Sequence, residues 1–332
     1  MKWVVSVSLG SPERDHRYEG EILGEEVVIE RRGTGGDWRA AAELIEALDG
    51  RVSAIGLGGI NLRYVLGNRR YSVRGAGSFA SLAKQTPVAD GERFKLAIEP
   101  MVVGELSAAG FEFRGKRALV VSVLDRWALA RALEEAGCRV YAGDVLFALG
   151  LPVVFPGTGT FQIAGLAAMP FLRLLPIGWL YPGHRPMSER PQKPLPWRAL
   201  ARWVCRHAVE RADYVAGDFH FMRKGIMGRL DGKVVIASTL RDADVEDLLR
   251  RGAAAVVSCS PAFGGRCFGA NVMEALICAF DGRRPEDIPA EEMRRWWGDL
   301  GLKPHVWSVG RSGAVGVGDP GTVTDPALGM IP

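Results

Sequence analysis

Lysine is scarce in this chain. Of 42 basic residues only eight are lysines, so 42 minus 8, or 34, are arginines. Acidic residues number 38 and leave a formal charge of only +4. Because the two signs are interspersed, no nucleic-acid footprint is written and no nucleic-acid partner is expected. Cysteine is also sparse. Cys138, Cys205, Cys259, Cys267 and Cys278 are odd in number and far apart, which excludes a disulfide framework and a CxxC metal knuckle. Neither an HExxH motif nor a cysteine-histidine cluster occurs, so no metal site is expected. Long uninterrupted apolar runs are missing as well. The most apolar stretch, 161–181, is broken by Pro170, Arg173 and Pro176, and no membrane span is expected. The opening "MKWVVSVSLGSPERD" lacks the long apolar region and cleavage site of a secretory signal. A cytoplasmic location follows as the expectation.

What is present is a large apolar fraction, 48%, enough for a substantial core. Strand-like "WVVSVSLG" (3–10), "EEVVIERRG" (25–33) and "VSAIGLGG" (52–59) surround a helix-like "DWRAAAELIEALDG" (37–50). In that helix Ala41, Leu44, Ile45 and Leu48 recur at helical spacing and Gly50 ends it. The segment "GSPERDHR" reads as a polar loop. From 113 onward, apolar runs such as "ALVVSVL", "YVAGD", "KVVIAST" and "AAVVSCS" alternate with helical patterns. That alternation predicts an α/β protein with a doubly wound, mostly parallel Rossmann-like sheet and a smaller N-terminal α/β domain. The expected domains are 1–112, on the substrate side, and 113–305, followed by a glycine-rich tail at 306–332. The apolar 161–181 segment is expected to cover a cleft edge or a second subunit, and a homodimer is expected.

In such sheets ligands bind beyond the carboxyl ends of the strands. That rule selects Asp125, Asp144, Asp218 with His220, Ser238 with Thr239, and Ser258 to Ser260. Ala-Gly-Asp occurs at two strand ends, 142–144 and 216–218. Each aspartate has two readings, ligand contact and turn cap. The turn "SVLDRWA" has the place of a dinucleotide-binding turn but none of its glycines, while Asp144 stands about twenty positions on, where a ribose-binding acid belongs. "FGGRCFGANVME" offers a second anion-binding candidate through Gly264, Gly265, Arg266, Gly269 and Asn271 at a helix start. Its alternative reading is a cap formed by Asn271 and Glu274.

Histidines number five. His220 lies two residues after Asp218 and close to Arg223 and Lys224, an arrangement suited to proton exchange with a substrate hydroxyl. Asp15 and His16 follow the first strand, Asn61 belongs to "GLGGIN", and "AKQTPVADG" supplies Lys84 and Asp90. Together these are candidates for holding a small anionic or polyhydroxylated molecule.

The strings "SVSLGSPERDH", "GLGGIN", "QTPVADG", "AGDFHFMRK" and "FGANVMEA" resemble a bacterial family known as quinate 5-dehydrogenase, over nearly the whole chain through about residue 305. The resemblance implies oxidation of a cyclitol carboxylate with NAD or NADP, a substrate domain first and a nucleotide domain second. The favoured reading is an oxidoreductase in which His220, Asp218, Lys84 and Asp90 are the catalytic candidates. Two other readings stand beside it. One is a transferase or isomerase of a phosphorylated or nucleotide-linked substrate; the other is a non-catalytic ligand-binding protein.

Overall fold

The computed structural model describes residues 1–172, 196–226 and 228–308. The second half of the apolar 161–181 segment, the side chain of Lys224 and the tail from 309 lie outside the described residues. The fold is α/β, and the chain forms two compact units that are not cut at single points such as 112 or 305. The first comprises Met1–Ile98 with Gly269–Leu302, and 166–172 cluster with it; the second comprises Glu99–Gly165, the described residues up to Phe268, and 303–308.

In the first unit, strands β1 (Lys2–Ser8), β2 (His16–Ile22), β3 (Glu25–Gly33), β4 (Ala54–Gly58) and β7 (Val88–Ala89) form one sheet in the order β2-β3-β1-β4-β7. β1 runs parallel to β3 and β4, and only β2 is antiparallel, on β3. A hairpin of β5 (Arg63–Leu66) and β6 (Arg69–Ser72) stands apart from it. The stretch from His16, expected as loop, is therefore an edge strand. Its alternating half-buried and exposed residues satisfy one face only, and the charges on the other face hid the strand period. The helix Trp38–Leu48 starts where Asp37 accepts the N–H groups of Arg39 and Ala40 at 2.9 and 3.0 Å. It buries Ala41, Ile45 and Leu48, the face that its spacing marks.

The helix Ala270–Asp281 also belongs to this unit, packed on β1, β4 and β7. Two glycines make the seat. A Cβ on Gly56 would stand 2.9 Å from Asn271 O, and one on Gly91, whose φ is +88°, would stand 2.7 Å from Asn271 N. Glu274, fully buried, accepts N–H groups from Gly91 at 3.3 Å and Phe94 at 2.8 Å. Burial, reinforced by neighbouring Asp90, pushes its carboxyl up to about 8.

In the second unit, β8 (Arg117–Val120), β9 (Arg139–Ala142), β10 (Phe155–Pro156), β11 (Tyr214–Asp218), β12 (Val234–Ser238), β13 (Ala255–Ser258) and β14 (His305–Ser308) form a sheet ordered β10-β9-β8-β11-β12-β13-β14. The five central strands are parallel, and β10 and β14 close the two edges antiparallel. Residues 306–308 are thus strand and not the start of the tail. The strand order reverses between β8 and β11, which makes this a doubly wound, Rossmann-like sheet with its switch point at that pair. Val215, Val235 and Val256 are buried in its core. Among the described residues no helix is long and apolar enough to cross a membrane.

If close approach holds the helix 270–281 in place, Gly91→Ala should lower the thermal midpoint far more than Gly110→Ala. Both glycines have positive φ, +88° and +92°, but nothing lies within 4 Å of a Cβ on Gly110. Backbone strain alone costs about 1–2 kcal/mol, and overpacking adds about 1–3 kcal/mol. Differential scanning calorimetry checks this, and equal losses in the two variants would contradict the seat.

Candidate functional site at the carboxyl edge of the second sheet

β8 ends at Val120, and the chain turns through Val121–Asp125 before the helix Trp127–Glu135. Arg126 is the N-cap of that helix, with φ −123° and ψ 42°, and its side chain is buried. Its guanidinium is 6% exposed and meets Glu99, which is 0% exposed, through Nη1. Nη2 donates to Ser238 Oγ at 2.6 Å and lies 3.8 Å from Asp218 Oδ2, while Nε lies 3.1 Å from Asp125 Oδ2. Burial would lower the guanidinium's proton affinity, but Glu99, Asp125 and Asp218 together raise it. A permanent cation is locked among three carboxylates. Two of them retain accessible surface, Asp125 at 17% and Asp218 at 25%.

Both Ala-Gly-Asp copies grip this same turn. Since β9, β8 and β11 are parallel neighbours, Asp144 and Asp218 stand at the same edge of the sheet. Asp144 Oδ2 and Oδ1 accept the N–H groups of Val123 and Leu124, each at 2.8 Å. Asp218 donates its own N–H to Ser122 Oγ at 3.1 Å. Gly217, φ +131°, is required for the fit, because a Cβ there would stand 2.8 Å from Val121 Cγ2. Further along the edge, Thr239 has φ +63°, a conformation costing ~1–3 kcal/mol for such a residue and typical of binding sites. Ser258 Oγ and Ser260 Oγ lie 3.2 Å apart, and the Ser260 hydroxyl donates to Phe268 O at 2.7 Å.

The remaining candidates sort differently from their sequence reading. Asp144 does not present a carboxylate to a ribose, since both its oxygens hold the turn. Asp218 Oδ1 caps the helix Phe219–Gly225 by accepting the backbone N–H of His220 at 2.7 Å, so it does not orient the imidazole through that oxygen; His220 and Arg223 are exposed on this helix. Gly264 and Gly265, at φ +56° and +75°, make the tight turn in which Phe263 N–H meets Arg266 O at 2.8 Å. The loop's glycines serve that turn. Gly269 is the N-cap of the helix 270–281, whose first N–H groups lie against Gly91 and not at an open anion site. Asn271 does not cap the helix either. Its amide donates to Ser6 Oγ at 2.9 Å, while Glu274 holds Gly91 and Phe94.

The other candidates belong to the first unit. Asp15 accepts from Arg31 Nη1 at 2.6 Å and Gly33 N at 2.7 Å, and His16 and Asn61 are half-buried. Asp90 accepts from Leu62 N at 2.7 Å and Glu92 N at 3.0 Å. Lys84 Nζ donates to Ser81 O at 2.6 Å. Lys84 and Asp90 thus carry local structure. A nicotinamide dinucleotide is poorly matched by the β8 turn. Asp144 consumes two of its N–H groups, and Asp125 and Asp218 would face the pyrophosphate with like charge.

Arg126 and Glu99 are the site residues that motif reading missed. Their signal lies in the sequence: an arginine directly after Asp125 in a turn where a dinucleotide-binding unit has glycines, and a lone acid in the apolar "LAIEPMVV" of the helix Glu92–Ala108.

Burial, with Asp125 adding to it, pushes the Asp144 carboxyl up to about 7 against the pull of its backbone N–H donors. Its unfolded value is about 3.9. The stability contributed by the neutral acid is therefore full below about pH 4 and is lost as pH rises through about 7. An Asp144→Asn variant, somewhat less stable at low pH, should lose less stability than the parent between about pH 5 and 8. Parallel melting-temperature profiles over that window would refute the assignment.

No curated protein matches the chain. Solved structures with a similar course include a sugar transport substrate-binding protein from Bordetella parapertussis 12822, at 13% identity and TM-score 0.35, covering 87% of this chain and 81% of that one. Another is a hetero-hexameric glutamate dehydrogenase from Thermus thermophilus, at 14% identity and TM-score 0.39, covering 90% and 74%. A galactofuranose binding protein matches at 10% identity and TM-score 0.33, covering 93% and 95%. With identities and scores this low, these likenesses carry no argument about what the chain does. Residues 3–90 match the model of a Domain of unknown function (DUF8753). The model of the Domain of unknown function (DUF8754) matches residues 93–309, more than half of the chain, and the chain belongs to that family.

Proposed function

We propose that this protein binds a small polyhydroxylated molecule at the carboxyl edge of the seven-stranded sheet and acts on one of its hydroxyl groups. The observation that carries the reading is the pair of accessible carboxylates, Asp125 and Asp218, fixed on either side of buried Arg126 at the switch point. Ionised carboxylates only accept hydrogen bonds, and two of them held in place suit the vicinal hydroxyls of a cyclitol or sugar. The same pair repels a phosphate, which weighs against the transferase or isomerase reading with a phosphorylated substrate at this edge. Arg126 holds both acids in place, so the ligand meets a preformed acceptor array.

His220 supplies the proton chemistry in this reading. It is exposed on the helix that Asp218 caps, and an imidazole exchanges protons near neutral pH. Oxidation of a hydroxyl removes a hydride as well as a proton, so an oxidoreductase also requires an acceptor. NAD or NADP is the acceptor that the quinate-dehydrogenase resemblance implies. The β8 turn gives its pyrophosphate no support, and recognition of the polyol is the part of the reading that rests on geometry.

Isothermal titration with quinate, myo-inositol, glucose and ADP tests it. At least one of the three polyols should bind saturably. Asp125→Asn and Asp218→Asn should each weaken that binding about tenfold or more, as expected for loss of hydrogen bonds to a charged acceptor. Asparagine retains the helix cap at 218, so the loss would not reflect unfolding. Failure of all three polyols to bind, or ADP binding that strengthens when either charge is removed, would favour a phosphate site over this one.

A further inference from the structure

A second site lies in the first unit. A cleft of about 440 Å³ opens beside the β5–β6 hairpin, lined by Arg63, Ser72, Ser78, Thr86, Arg284 and Glu286 around apolar Leu62, Val73, Ala80 and Val88. Its volume falls in the range of small-molecule sites, ~300–1,000 Å³. From the polarity and charge of this lining we infer that the cleft binds a small oxyanion-bearing polyol, a molecule with a phosphate or carboxylate group at one end and hydroxyls at the other.

Three observations converge on that class. First, the hairpin is a ribbon of one sign. Between residues 63 and 74 the chain places Arg63, Arg69, Arg70 and Arg74 with no acidic residue among them. Second, the arginine nearest the cleft is positioned. Glu92, 6% exposed, lies 3.1 Å from Arg63 Nε and 3.0 Å from Arg70 Nε, so one buried acid anchors two guanidinium groups at the hairpin. Arg284, which also lines the cleft, is held by donating Nη2 to Lys84 O at 3.0 Å. Two arginines lining one cleft are suited to forked contacts with a planar or tetrahedral oxyanion. Third, the rest of the lining is built for hydroxyls and close approach. Ser72, Ser78 and Glu286 offer acceptors and donors, and positions 75 and 77 are glycines with nothing within 4 Å of where a Cβ would stand.

Nothing in this site depends on Arg126 or on the polyol reading of the second unit. The resemblance-based pair of Lys84 and Asp90 is recast by it. Lys84 contributes its backbone carbonyl, which anchors Arg284, and Asp90 holds the backbone of Leu62 at the cleft's edge.

The test is calorimetric titration of the full chain with glucose 6-phosphate, inorganic phosphate, citrate and, as the neutral control, glucose. Arg284→Ala removes an exposed side chain, and Ala80→Phe fills the cleft; circular dichroism and melting temperature establish that both variants fold. Glucose 6-phosphate or citrate should bind at concentrations around 1 mM or below, glucose much more weakly at this site. Arg284→Ala should reduce the affinity roughly tenfold, the size expected for a charge-assisted contact, Arg284→Lys should restore part of it, and Ala80→Phe should abolish binding. Binding of phosphate and glucose 6-phosphate without citrate would identify a phosphate ligand, and citrate alone a carboxylate ligand; either supports the oxyanion site. The inference is overturned if none of the anions binds, or if folded Arg284→Ala and Ala80→Phe proteins bind as the parent does. It is equally overturned if a short RNA binds the arginine ribbon while the small anions do not.

Discussion

The second unit is organised by one buried cation. Arg126 cannot shed its charge, and removing a guanidinium from water costs several kcal/mol unless acids and acceptors surround it. Glu99, Asp125, Asp218 and Ser238 do so, drawn from a helix, the β8 turn and the ends of β11 and β12. The constraint works in both directions. The acids hold the arginine, and the arginine draws together the carboxyl ends of three neighbouring strands at the place where their connections part. With one cation to three carboxylates, the local balance is negative.

The first unit solves a different problem, the seating of a helix that arrives late in the chain. Ala270–Asp281 packs on strands formed by the first ninety residues because Gly56 and Gly91 carry no side chains and Glu274 meets the N–H groups of Gly91 and Phe94. A buried acid whose carboxyl is pushed up to about 8 is mainly neutral at physiological pH. It is accommodated largely by the backbone N–H groups of Gly91 and Phe94, unlike the arginine-centred arrangement in the second unit.

Much of the fold was legible because periodicity reports burial. The apolar runs at β8, β11, β12 and β13 are strands covered on both faces, and the helix Trp38–Leu48 shows its buried stripe at the expected spacing. β2 was illegible because an edge strand half exposed to water alternates charges with small and aromatic residues. The packing of helix 270–281 was illegible for a different reason, since sequence order assigns a helix to the strand before it and only the glycines at 56 and 91 hint otherwise. At the candidate site, the carboxyl-edge rule located Asp125, Asp144 and Asp218, and the two Ala-Gly-Asp copies do face one turn. Their roles were not legible. Asp144 holds backbone, Asp218 caps a helix while touching Arg126, and the central residue is hidden because glycines, not an arginine, mark a nucleotide-binding turn. An arginine in that position reads as a failed motif until the three acids around it, 27 residues before it in the case of Glu99, are brought into contact.

The central claim is that Arg126 and its acids form one interdependent unit. A double-mutant cycle on Arg126→Met and Glu99→Gln, read by chemical denaturation of the second unit's transition, measures it most directly. Each single variant strands a buried group and should lose about 3–5 kcal/mol, whereas the double variant should lose substantially less than the sum, with a coupling of about 2 kcal/mol or more. Additive losses would contradict the account, because they would mean that the arginine and the buried glutamate stabilise the fold independently.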